Sequence, residues 1–179
     1  MDKPTDRLQR TRAGFTLLEL MLVVTILGLL AAAAVPSYVR YLRRVQTSEA
    51  TLMLRKVFDG AAVYFAAQPA DIGGDQLQHQ FPVSAPPMPA ITEIGTERVR
   101  VTSWDGSPTW DALHFSMADP HYYAYQFDAS GFDNDAQFTA SAFGNLDGDD
   151  TFSTFVRFGS VHAMSVHGSQ GVFMEHELE

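Results

Sequence analysis

The sequence predicts an α+β protein, in which one long N-terminal helix precedes and packs on an antiparallel β-sheet head. Three observations carry that prediction. Residues 20–39 (LMLVVTILGLLAAAAVPSYV) are 20 consecutive uncharged residues. Leu54, Val57, Phe58, Ala61 and Phe65 fall at i, i+3, i+4, i+7 and i+11, the period of one helical face. Beyond residue 97, short β-patterned runs alternate with turns rich in Gly, Asp and Asn.

The helix begins with an apolar run over residues 15–39 in which Glu19 is the single charge. Twenty residues at helical rise reach about 30 Å, the thickness of a bilayer's hydrocarbon core. Arg40, Arg43 and Arg44 follow the run, and Lys3, Arg7, Arg10 and Arg12 precede it against Asp2 and Asp6. This is a membrane-spanning pattern with charged collars. With four basic residues before the span and three after it, the positive-inside rule favours a cytoplasmic N-terminus only slightly. Pro36 removes one backbone hydrogen bond, so a kink or local melting is expected between Gly28 and Pro36.

The second half of the helix reads as amphipathic to about residue 67. Arg55, Lys56 and Asp59 lie off its apolar stripe, Gly60 weakens one turn, and Gln68-Pro69 supplies a stop. Residues 69–97, with PADIGGDQ and FPVSAPPMPAI, read as an extended loop of little regular structure. The sheet is expected over residues 98–174, from RVRVTS (98–103), LHFSM (113–117), YYAYQF (122–127), QFTASAF (137–143), TFSTFVRF (151–158) and GVFME (from 171).

Composition narrows the function. The 179 residues are 46% hydrophobic, enough for one domain and an appendage, and the absence of Cys excludes disulfides, thiolate zinc sites and cysteine nucleophiles. Residues 45–179 carry five basic residues against 18 acidic ones. So acidic a head argues against a phosphate-binding face, and no specific nucleic-acid partner is expected.

Few constellations suggest chemistry. The oxygens of Asn145, Asp147, Asp149 and Thr151 alternate like the start of a calcium loop, but Asp150 stands where such a loop needs Gly and Val156 where it needs Glu. The turn reads as a solvated hairpin connection, with a calcium site as the alternative. The six histidines lack tight ligand spacing; His162 and His167 fall in a loop-like segment. Ser169 lies in HGSQG, which fails the nucleophile-elbow pattern, and Asp133 with Asp135 reads as a turn. No catalytic residue and no cofactor is called for.

Three readings of the N-terminus remain on residues alone: a plain signal anchor, a secretory signal peptide cut near the A-x-A pattern of residues 31–34, and a specialised membrane signal that explains Glu19. Gly14-Phe15-Thr16-Leu17-Leu18-Glu19, followed by the apolar helix, resembles the class III signal of type IV pilins and pseudopilins. Gly28 and Pro36 match a family glycine and proline, and HYYAYQFDASG with the acidic turn after it looks like the heads of deltaproteobacterial-type pilins. The resemblance implies a leader of residues 1–14, removed by a prepilin peptidase between Gly14 and Phe15, with N-methylation of Phe15. It implies a filament-core and membrane helix over residues 15–44, and a globular head over residues 45–179. It also implies that Glu19 aligns each incoming subunit through the Phe15 amine of a neighbour.

The expected protein is therefore a structural pilin subunit. It is held once through the bacterial inner membrane, handled by an assembly platform and its ATPase, and polymerised with copies of itself into an extracellular filament. A pseudopilin of a type II secretion system shares the same signal. A single-span anchored binding protein or hydrolase leaves Phe15, Glu19, Gly28 and Pro36 without a common explanation.

Overall fold

A computed structural model describes residues 14–67, 78–100, 104, 106–169 and 171–178. The expected leader up to residue 13, the Gln68-Pro69 stop, the loop from 69 to 77 and residues 101–103 lie outside the described residues. The chain divides into two compact units, with the boundary between Val39 and Arg40. Helix α1 runs Leu17–Ala66, and Pro36 lies inside it.

Within the second unit, α1 buries Thr47, Ala50, Leu54, Val57, Ala61 and Phe65. This is the expected stripe, extended from Leu54 back to Thr47, about two turns towards the N-terminus. Phe58, at the stripe's edge, is only half-buried and packs against Phe138 at 5.5 Å between ring centroids. Gly60 does more than weaken a turn: a Cβ there would collide with the backbone carbonyl of Leu113. The glycine is what lets that strand of backbone lie against the helix.

The six strands are β1 (Ala85–Met88), β2 (Ala124–Ser130), β3 (Gln137–Gly144), β4 (Ser153–His162), β5 (Ser165–Gly168) and β6 (Phe173–Glu175). They form one sheet in the order β1-β2-β3-β4-β5, with β6 paired to β4, and every pairing is antiparallel. Along the helix-facing side, register places Tyr125 opposite Ala142, and Ala142 opposite Phe155. Phe127, Ala140 and Arg157 form the next row. Small residues on central β3 and large ones on its neighbours make a trough for α1, whose own Ala50 and Ala61 are fully buried there. Gly159 and Gly168, paired across β4 and β5, leave room for the rings of Phe138 and Phe58.

Four local expectations are corrected. The 69–97 segment is not wholly irregular, since it contains β1 and a 3-10 turn at Ile91–Glu93. Of the strand expected over 98–103, the described residues 98–100 make one isolated bridge, Val99 to His121. LHFSM is not a strand either: it follows the short helix α2 (Pro108–Ala112), and its alternation places Leu113 and Phe115 in the core from irregular backbone. The loop expected around His162 and His167 is instead the β4–β5 hairpin, turned by Ala163 and Met164 at φ 51° and 58°.

Candidate assembly segment

The first turn of α1 is closed by two side chains that face each other. The Thr16 backbone N–H donates to Glu19 Oε2 at 2.9 Å, and the Thr16 hydroxyl donates to the same oxygen at 2.8 Å. The Glu19 N–H returns a bond to Thr16 Oγ1 at 3.2 Å, and Leu20 N–H reaches the Thr16 carbonyl at 3.2 Å. This is a reciprocal capping box, which satisfies amide donors that a helix N-terminus leaves without partners. Its sequence signal was legible as T-x-x-E over residues 16–19, although Glu19 alone was singled out above.

Every residue from 14 to 39 is exposed, including Phe15 at 84% and Leu29 at 70%. By length and composition α1 can cross a membrane, with a mean hydropathy of 2.5 over its most apolar window. Two hydroxyls of its apolar run are turned back on the helix backbone: Thr25 donates to the Met21 carbonyl at 2.8 Å and Ser37 to the Ala33 carbonyl at 3.3 Å. These bonds remove the cost of presenting a bare hydroxyl to hydrocarbon. The segment between Gly28 and Pro36 is α-helical throughout in the isolated chain. No neighbouring side chain lies where a Cβ on Gly14 or Gly28 would stand.

The acidic turn at Asn145, Asp147, Asp149 and Thr151 serves its own backbone. Gly148 N–H donates to Asn145 Oδ1 at 2.8 Å, Asp149 N–H to Asp147 Oδ1 at 3.4 Å, and Thr151 N–H to Asp149 Oδ1 at 2.6 Å. Asn145 Nδ2 donates to the Asp149 carbonyl at 2.8 Å, and Arg43 pairs with Asp147 Oδ2 at 3.3 Å. Those oxygens are thus directed at amides and a guanidinium, not at a common centre. Among the described residues no group of three His, Asp or Glu could hold a metal ion.

One buried polar cluster had no sequence signal. Glu49 of α1 accepts the Tyr122 N–H at 3.0 Å, a contact spanning 73 positions of chain. Burial raises its pKa, and the amides of Tyr122 and Tyr123, the charge of Arg98 and the Tyr125 hydroxyl counteract this in part. Next to it, His121 is fully buried among Trp104 and Tyr125, with ring centroids at 5.8 and 6.2 Å. Burial lowers its pKa, which favours the neutral ring, against the opposing bond to the Asp119 carbonyl.

Residues 9–35 match the family model of the prokaryotic N-terminal methylation motif. Over this N-terminal segment the chain is similar to type IV pilins. It is 38% identical over 61 residues to the type IV major pilin protein PilA of Myxococcus xanthus, covering 34% of this chain and 28% of that one. It is 58% identical over 40 residues to the type IV major pilin protein PilE of Neisseria gonorrhoeae (22% of this chain, 24% of that one). With fimbrial protein EcpC of Eikenella corrodens the figures are 54% over 43 residues, 24% and 28%. The matched part thus spans about a quarter of the length of these pilins. No solved structure matches the chain. The long apolar helix and six-stranded antiparallel sheet make an α+β arrangement like that of the pilin fold.

Proposed function

We propose that this chain is a structural pilin subunit. The leader is cut between Gly14 and Phe15 by a prepilin peptidase, the new Phe15 amine is methylated, and α1 holds the mature subunit in the inner membrane. An assembly platform and its ATPase then lift subunits into an extracellular filament, where α1 exchanges lipid for the helices of other copies. A head-to-tail contact that does not close into a ring builds an open helical polymer.

The observation that carries this reading is the methylation motif over residues 9–35, leading into an apolar helical segment whose every described residue up to Val39 is exposed. Glu19 gives the reading its mechanism. A carboxylate in a membrane helix costs about 2.5–3.5 kcal/mol, so it is rarely retained without a partner. The Phe15 amine of a neighbouring copy is a cation that methylation preserves, and a pair in low dielectric is attractive while a lone charge is costly. Pro36, by removing one main-chain bond, lets the helix loosen between Gly28 and Pro36 as subunits pack. The relatives reported above are named pilins or fimbrial protein, which favours a pilus subunit over a secretion pseudopilin.

The test is the N-terminus of the protein in sheared surface filaments, read by intact mass. A chain starting at methylated Phe15 supports the reading, and an uncut chain in the filament removes it.

A further inference from the structure

We propose that the face of the sheet turned away from α1 carries a binding site for a neutral saccharide. The inference needs only the head, so it stands or falls independently of filament assembly.

A groove of about 650 Å³ crosses β2, β3, β4 and β5 on that face. This lies within the range of ligand sites, roughly 300–1,000 Å³. Two cross-strand rows furnish it. Asp128 pairs with Thr139 and Thr139 with Phe158, while Gln137 pairs with Ser160 and Ser160 with His167. Strand alternation sends all six side chains to the side opposite Phe138, Ala140 and Phe155, which meet the helix. Phe158 is 52% exposed among these polar neighbours. An aromatic ring left open on a hydroxyl- and amide-bearing sheet face gains nothing for the core.

The chemistry of the groove selects one ligand class. Among its described lining residues none is Lys or Arg, so phosphate and acidic peptides find no cation. A single carboxylate, Asp128, is too little for a metal ion. β2, β3 and β4 already pair on both sides, so an extended peptide could join the sheet only in its plane, along the outer edge of β5, and not across the groove. What remains is a neutral polyol. Its hydroxyls match Asp128, Gln137, Thr139, Ser160 and His167 as donors and acceptors, and its flat C–H face matches the Phe158 ring. Two groups are already braced: Gln126 Nε2 donates to Asp128 Oδ2 at 2.7 Å, and Gln137 Nε2 to Ser130 Oγ at 3.3 Å. Mounting on paired strands makes the site rigid before any ligand arrives.

The full chain in a sugar-free zwitterionic detergent is screened against immobilised neutral, sialylated and sulfated oligosaccharides. Hits are followed by saturation-transfer NMR with the free sugar. Neutral oligosaccharides are expected to bind, and the charged ones without a neutral core are not. Phe158→Ala should weaken binding by about tenfold, the loss of one aromatic contact. Ser160→Lys, at an exposed position that leaves the core intact, should abolish it by filling the groove. Phe132→Ala, an equally exposed ring outside the groove, should change nothing. Failure of every neutral sugar to bind, or binding that survives both Phe158→Ala and Ser160→Lys, overturns the proposal.

Discussion

Thr16 and Glu19 hold each other at the start of α1, with two donors of Thr16 converging on Glu19 Oε2 at 2.9 and 2.8 Å. Among the described residues Oε1 takes no donor. The box thus satisfies half of the carboxylate within its own chain and fixes its direction. In the assembly proposed above, Oε1 is the oxygen left for a neighbour's Phe15 amine.

The two residues are separable by mutation. Thr16→Ala removes the cap and should cost about 1 kcal/mol at the helix terminus. Hydrogen exchange in micelles should show faster exchange at amides of the first turn, with cleavage retained. Glu19→Gln keeps an acceptor for Thr16 but deletes the charge. Membrane insertion and cleavage should stay normal while filament yield falls sharply. Filaments of Glu19→Gln at wild-type abundance would mean that charge pairing does not register the subunits.

Gly60 offers a test of how α1 sits in the head. By helix propensity alone Gly60→Ala should stabilise, by about 1 kcal/mol. The Leu113 carbonyl occupies the place of the added methyl, so the substitution is expected to lower the melting temperature instead. A rise in melting temperature would show that α1 is not seated against Leu113.

The pH dependence of stability has a named source in His121. Its pKa is lowered from 6.5 by burial, so the unfolded chain binds a proton that the folded chain refuses. Stability should therefore fall as pH drops from about 7.5 to about 5. Glu49 acts with the opposite sign: its raised pKa favours the folded state as pH falls towards 4.5. His121→Phe should flatten thermal melts across the first window, and Glu49→Gln should steepen the loss at its acid end. An unchanged slope in His121→Phe would exclude the ring as the titrating group.

Much of the helix and sheet was legible because burial imposes a period. Leu54, Val57, Ala61 and Phe65 announce their face at 3.6 residues, and QFTASAF its strand at two. What escaped lacks a period or contradicts composition. The strand Ala85–Met88 is APPM, and proline survives there because β1 lies at the sheet's edge and meets β2 in an irregular register. Helix α2 begins with Ser107 and Pro108, a start signal, but its five residues are too few to show a stripe. The β4–β5 turn places Ala163 and Met164 at positive φ, where Asn and Gly are usual, so no turn signal marked it. At the candidate assembly segment the motif residues were visible locally, whereas Glu49 meeting Tyr122 is a tertiary contact that no spacing announces.

The head should fold without the span. Removing residues 1–42 is expected to leave a soluble, monomeric α+β domain, since the buried core lies between Ala50 and Val161. Circular dichroism and gel filtration check this. An unfolded or obligately aggregated product would place the boundary elsewhere.

Intact-mass spectrometry of the protein in sheared surface filaments tests the central claim most directly. The expected species lacks residues 1–14, begins at Phe15 and is heavier by one methyl group. A mature N-terminus near Ala34, or the uncut chain in assembled fibres, would contradict the pilin account.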